Sequence, residues 1–337
     1  RVNYITALSV LALIELQRAQ GRTSCQLVSE EIQAMIDRGV EWLQSTRNPD
    51  GGCREALNLN VWDTALSVLS MIDIGAEKWN QMIQSACRWL IENQNSDGGW
   101  AFSGLPGGGL PSDADDTALA TLALLRSKIP SAAEAITGGL NWLKAHQGRN
   151  GSWSTYIPGQ GDVGCVSITA HAIEALHEVK GLEAQISRAL RWLKSQMTSD
   201  GYWTDVWLAK RTYGTACAII GLIKAGDKAS PEMERGVRWL ENAQNSDGGW
   251  GEDMFGNRTD STVEQTAWCT YALLLVNREN RSAQRGLEFL LNRQKPDGSW
   301  DASCVGIYWE IIGGYTDPIY ASVFPLLALN QFLKGAA

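Results

Sequence analysis

Residues 88–100 read Arg88-Trp89-Leu90-Ile91-Glu92-Asn93-Gln94-Asn95-Ser96-Asp97-Gly98-Gly99-Trp100: an aromatic residue eleven positions before a Trp, Gln between them, and Gly ahead of the second ring. The frame returns as Trp142, Gln147, Gly151, Trp153; as Trp192, Gln196, Gly201, Trp203; as Trp239, Gln244, Gly248, Trp250; and as Phe289, Gln294, Gly298, Trp300. A degenerate copy starts at Trp42, with Arg47 and Cys53 in place of Gln and the second Trp. A repeat of about 50 residues marks a stacked array. It accounts for 15 Trp against 5 Phe, and for 34 Gly, in 337 residues.

Each copy predicts a helix that ends in a glycine turn. Segments such as 183–195 and 231–243 carry apolar residues at helical spacing. Asn-Ser-Asp-Gly-Gly supplies glycine for the positive φ just past a helix end. A second helix family is expected at 62–74, 115–126, 166–177, 211–224, 263–276 and 317–333. Five of these share a Thr-Ala step: Thr64-Ala65, Thr117-Ala118, Thr169-Ala170, Thr215-Ala216 and Thr266-Ala267. A helix at 4–18 carries another, Thr6-Ala7. The second family is apolar nearly all round and should be buried; the first is amphipathic and should face solvent. The Gln-Trp turns then read as staples between neighbouring outer helices.

Six helical hairpins can stack as an open solenoid or close into a ring. Neither end of the array carries a polar capping repeat. The expected fold is therefore all-α, a single closed α/α barrel over residues 1–337 with six inner and six outer helices. The thirteenth helix leaves the closure point open.

Composition sets the outer limits. With 44% hydrophobic and 20% charged residues, a packed core is expected and disorder is not. No apolar run reaches the roughly 18 residues of a membrane span. No signal peptide is evident, and Arg1 in place of a start Met reads as a few missing residues. The net charge of −8 argues against a nucleic-acid partner. Seven scattered cysteines without a C-x-x-C pair read as reduced core residues of a cytoplasmic protein.

One inner-helix start differs from its siblings: Pro111-Ser112-Asp113-Ala114-Asp115-Asp116-Thr117-Ala118. Neighbouring carboxylates repel, and burial favours their protonated forms. The helix dipole at the same place favours the anion. Those opposed pressures suit a Brønsted acid. The pattern alone also allows an N-cap at Asp113 or Asp115. A metal site fits less well, since the later positions of a calcium loop are missing.

Asp113-Ala-Asp115-Asp116-Thr117-Ala118 resembles the Asp-x-Asp-Asp-Thr-Ala motif of class II terpene cyclases. The Gln-Trp turns resemble those of the squalene–hopene and oxidosqualene cyclases. Val61-Trp62-Asp63-Thr64-Ala65, Thr169-Ala170-His171, Tyr213-Gly214-Thr215 and Gln265-Thr266-Ala267-Trp268 extend the similarity over about residues 40 to 330. The resemblance implies a cyclisation started by protonating an alkene or epoxide, with no metal and no cofactor. It makes Asp115 the proton donor, with Asp113 and Asp116 orienting it. His171 falls where hopene cyclases place a histidine bonded to the acid, and Tyr213 where a tyrosine is tied to it through water. Ser167 replaces the Asp that those enzymes carry four residues before the histidine, which leaves the imidazolium less supported. Trp62, Phe102, Tyr156 and Trp207 are the implied aromatic walls for the carbocation.

The length of one barrel resembles the single-domain class II cyclases of bacterial meroterpenoid pathways, of the merosterolic acid synthase type. This implies a lipophilic polyprenyl substrate joined to a hydroxybenzoate, with peripheral membrane contact open. A prenyl diphosphate of copalyl or drimenyl type, or a non-catalytic lipid-binding barrel, are the alternatives. Lys210 and Arg211 are candidates to meet an anionic head group. Protein prenyltransferase β-subunits need a zinc set that His146, His171 and His177 do not match. Class I synthases need Asp-Asp-x-x-Asp, which the chain lacks. A glycosidase pair of Asp115 and Glu264 sits poorly with apolar inner helices.

Overall fold

The computed structural model describes residues 59–73, 76–104, 110–155, 163–308 and 313–334. The chain divides into Arg1–Leu59 and Asn60–Ala337, and the second unit is described below. The helix expected at 4–18, the degenerate copy from Trp42, and Tyr156 lie outside the described residues.

Among the described residues, eleven α-helices alternate between two families. The inner ones are α1 (Asn60–Asp73), α3 (Ala114–Ser127), α5 (Val166–His177), α7 (Lys210–Lys224), α9 (Val263–Val276) and α11 (Tyr320–Lys334). The outer ones are α2 (Ala76–Glu92), α4 (Ala133–His146), α6 (Glu183–Ser195), α8 (Pro231–Ala243) and α10 (Arg281–Arg293). Each inner helix packs against the next, and α11 packs against α1. At that last contact the buried Asn330 Nδ2 donates to Ser70 O at 3.2 Å. Each outer helix lies on the inner helix that precedes it. Burial follows the expected division: α5 is buried from Val166 through Leu176, whereas α8 buries only Met233, Gly236 and Leu240.

The repeated residues have specific duties. Trp100, Trp153, Trp203, Trp250 and Trp300 are buried, and each Nε1 donates to a carbonyl ten residues earlier, at 2.6–2.9 Å. The backbone N–H of the first four donates to the hydroxyls of Thr117, Thr169, Thr215 and Thr266. The Thr-Ala step therefore recurs because Thr clips each turn to the inner helix that follows. Gln94, Gln147 and Gln244 each donate through Nε2 twice, to a carbonyl of their own turn and to Ala135, Gln185 or Ser282 on the next outer helix, at 2.8–2.9 Å. Gln196 departs and donates to Ser195 Oγ. Gly98 has φ +88°, and a Cβ there would lie 2.9 Å from Gly138 O. Glycine is thus required by both the turn and the neighbouring helix.

Two features depart from an all-α chain of core cysteines. The connection into α9 folds on itself as antiparallel β1 (Trp250–Glu252) and β2 (Arg258–Thr262), and that into α11 as β3 (Cys304–Tyr308) and β4 (Gly313–Thr316). These links are long enough for their backbone groups to pair with each other. Cys87, Cys165, Cys217 and Cys269 are buried, but Cys304, at the start of β3, is exposed. Among the described residues, no helix is long and apolar enough to cross a membrane.

Candidate active site

The amino ends of the inner helices gather the chemistry. Asp113 is the N-cap of α3: its backbone is extended, and its Oδ1 accepts from Asp116 N at 2.9 Å. Burial pushes its carboxyl up to about 7, assisted by the Asp115 charge, although the Asp116 amide pulls the other way. Asp116 is held well above the usual carboxylate range by burial, then by the charges of Asp113 and Asp115. Asp113 Oδ2 and Asp116 Oδ1 are buried with no hydrogen-bond partner among the described residues, which also favours protonation. Asp115 turns away from this pair. Its Oδ1 accepts from His171 Nδ1 at 2.6 Å, and both side chains are nearly buried.

Burial alone would lower the His171 imidazole. The charge and hydrogen bond of Asp115, with Glu174 and Asp205 beyond, outweigh it and hold the ring above its ordinary value. On its other side, Tyr213 Oη lies 3.5 Å and Cys217 Sγ 3.9 Å from His171 Nε2. Burial raises both of those groups, so they stand as neutral neighbours. Tyr213 thus meets the distal imidazole nitrogen.

The Trp62 ring packs 5.7 Å from the His171 ring. Trp268 lies edge-on to Tyr213 at 5.0 Å and to Phe324 at 5.5 Å, extending the aromatic lining beyond the four residues expected. The tryptophans fall into two groups. The five turn rings all donate through Nε1, whereas Trp62, Trp207 and Trp268 bury an Nε1 with no partner among the described residues. Trp207 is half-buried, and its backbone N–H is held by Asp205 Oδ1 at 2.9 Å. Phe102 is half-buried, and its carbonyl accepts from Val61 N at 3.4 Å.

One register explains the lining. Trp62, Asp115 and Tyr213 stand two residues before the Thr of their Thr-Ala step; His171, Cys217 and Trp268 stand two after it. Asp63 precedes its Thr as Asp116 does. Burial, then the neighbouring Asp317, lift Asp63 to about 7. This residue, Asp205, Trp268 and Phe324 were not expected from the sequence. Glu264 is fully buried, and its Oε1 accepts from Ser303 N at 2.7 Å, so it ties down a loop. The Arg211 guanidinium lies 5.1 Å over the Tyr202 ring. Among the described residues, no three His, Cys, Asp or Glu side chains are grouped to hold a metal ion.

The Squalene-hopene cyclase C-terminal domain family matches residues 24–161 and 60–334. The squalene–hopene cyclase of Alicyclobacillus acidocaldarius is 32% identical over 319 residues, covering 82% of this chain and 50% of that enzyme. The chain spans half or less of the length of the curated relatives it matches. The ent-copalyl diphosphate synthase from Streptomyces platensis has a TM-score of 0.67 at 26% identity, covering 87% of this chain and 55% of that one. A variant of the type II terpene cyclase MstE from Scytonema, in complex with geranylgeranyl dihydroxybenzoate, has a TM-score of 0.67 at 21% identity, covering 88% of this chain and 95% of that one. The chain belongs to the squalene–hopene cyclase C-terminal domain family.

Proposed function

We propose that the chain is a class II terpenoid cyclase in which Asp115, in its acid form, protonates the terminal alkene or epoxide of a linear polyprenyl substrate. The observation that carries this reading is the Asp115–His171 pair, set beside two carboxyls whose protonated forms burial favours. The proton leaves Asp115 for carbon or epoxide oxygen, and His171 Nδ1–H stabilises the carboxylate left behind. The tertiary cation is then attacked by successive double bonds until a proton is lost or water adds. Trp62, Phe102, Trp207 and Trp268 face it with rings that attract cations without bonding to them, a role that the family resemblance extends to Tyr156.

The leading substrate class is a polyprenylated hydroxybenzoate, supported by the likeness in fold to MstE. A prenyl diphosphate is the second reading, favoured by the likeness to the copalyl diphosphate synthase. The fold we infer is a closed α/α barrel of six hairpins. The packing of α11 on α1 and the Asn330–Ser70 bond support it. A lipophilic substrate favours uptake at a membrane surface.

The test is a mass-spectrometric product assay with EDTA present. Wild type and Asp115→Asn each receive geranylgeranyl dihydroxybenzoate and geranylgeranyl diphosphate. A cyclised isomer of the benzoate, lost in the variant, is expected. Cyclisation of the diphosphate with its phosphates retained would favour the second substrate. Turnover unchanged in Asp115→Asn would refute the assigned acid, and no turnover of either substrate would favour a lipid-binding role.

A further inference from the structure

The residue two places after four of the five turn tryptophans, Trp100, Trp153, Trp203 and Trp250, meets the amino end of the inner helix one repeat earlier. For Phe102 and Thr155 the link is a carbonyl, accepting from Val61 N and Ala114 N. For Asp205 and Glu252 it is a carboxylate. Glu252 Oε1 accepts from Arg211 N and Thr212 N at the start of α7. Asp205, only 1% exposed, caps α5 in the same way: its Oδ2 accepts from Ser167 N at 2.9 Å and Cys165 Sγ at 3.3 Å. The helix has no side-chain cap of its own, since its N-cap residue is Cys165. Asp205 Oδ1 meanwhile holds Trp207 N, whose carbonyl accepts from Ile307 N. All four partners of these two oxygens and this carbonyl are donors, so an ionised carboxylate satisfies each of its own.

We propose that Asp205 is a positioning residue of the acid site, a buried carboxylate that keeps His171 charged while Asp115 is in its acid form and that fixes the Trp207 backbone. The proposal rests on the cyclase reading of Asp115. The groups acting on His171 are Asp115 from α3, Glu174 from its own helix, Tyr213 and Cys217 from α7, and Asp205 from the loop before α7. Tyr213 and Cys217 are neutral. Glu174 shares its charge with Arg126, at 3.8 Å. Asp115 loses its charge in the form that donates a proton. Glu174 and Asp205 are then the carboxylates left to hold the imidazolium, the form of His171 that most strengthens the acid, and Asp205 acts from the cap at Ser167, one turn before His171 on α5. In this chain Asp205 takes the Ser167 backbone N–H, while the Ser167 hydroxyl lies 3.4 Å from Cys165 Sγ.

The test compares Asp205→Asn with Glu252→Gln, the equivalent cap on a helix without a histidine. The His171 titration is read by NMR on histidine-labelled protein, assigned against His171→Gln, and is independent of turnover. Asp205→Asn is expected to lower the His171 pKa. The alkaline limb of kcat should move down with it, with KM little changed. Glu252→Gln should lower Tm and leave both profiles in place. Asp205→Ser, neutral and smaller, should move the His171 titration as Asp205→Asn does, so the test does not hang on one variant folding. Asp205→Glu should restore the titration. An unmoved His171 titration in the neutral variants would overturn the proposal, even with cyclase activity intact. A shifted titration in a protein that turns over no prenyl substrate would support the electrostatic link and reject the cyclase reading.

Discussion

Asp113 Oδ1 accepts the Asp116 amide at 2.9 Å, so the first acid of the triplet is the cap of the helix that carries the other two. The cap and the acid cluster are therefore one structure. One oxygen satisfies an orphan N–H at the helix start, and the other is buried without a partner among the described residues. The helix start binds the cluster in place although its carboxyls crowd one another.

That arrangement predicts a pH signature in stability. Asp113 titrates at about 7 in the fold, against about 3.9 when unfolded. Between those values the folded state holds the extra proton, so this contribution is complete below the lower one and is lost as pH rises through the upper one. Asp116 and His171 are also raised and act with the same sign. Asp113→Asn keeps the capping oxygen and removes the charge. Its Tm relative to wild type should rise steadily between pH 5 and pH 8, by an amount on the order of a few kcal/mol in stability. Calorimetry at both pH values would test this, and a difference independent of pH would reject the buried-proton account.

The turn glutamines give a second prediction, made sharp by an internal exception. Gln94 and Gln244 each hold two carbonyls, one on the next outer helix, whereas Gln196 reaches only Ser195 Oγ. Replacing Gln94 or Gln244 by Ala removes two bonds to buried or half-buried carbonyls and should cost about 1–3 kcal/mol each. Gln196→Ala, at an exposed bond, should cost about 0.5 kcal/mol or less. Urea midpoints would show the contrast. Equal losses at all three sites would mean the bonds between outer helices contribute little.

The helices were legible because each repeat encodes the same contacts. Thr117, Thr169, Thr215 and Thr266 make one bond four times over, and inner-helix boundaries were expected to within about three residues. The contact between Asp115 and His171 joins residues 56 apart, and no local spacing encodes it; the family motif pointed there. Asp205 was missed because Trp203-Thr204-Asp205 reads as ordinary loop. The signal was Glu252 at the same repeat position. Trp268 was visible in the Thr-Ala register once His171 was known to face inward. Phe324 was not, since α11 lacks that step and carries Pro325 instead.

Trp268 supplies the last prediction, which follows from the cyclase reading. Its ring is almost fully buried against Tyr213 and Phe324, and its Nε1 has no partner among the described residues, so its indole N–H does not explain its presence. A desolvated aromatic face stabilises a passing cation by up to about 2 kcal/mol, roughly 30-fold in rate. Trp268→Phe retains a face at this position and should keep the product pattern with a modest loss of rate. Trp268→Leu removes it and should release shorter cascades, ending in fewer rings, while Asp115 still starts the reaction. Mass spectrometry of the products separates the cases. Identical product patterns from the two variants would show that Trp268 fills space without acting on the cation, since both remove the indole and differ chiefly in the presence of a π-face.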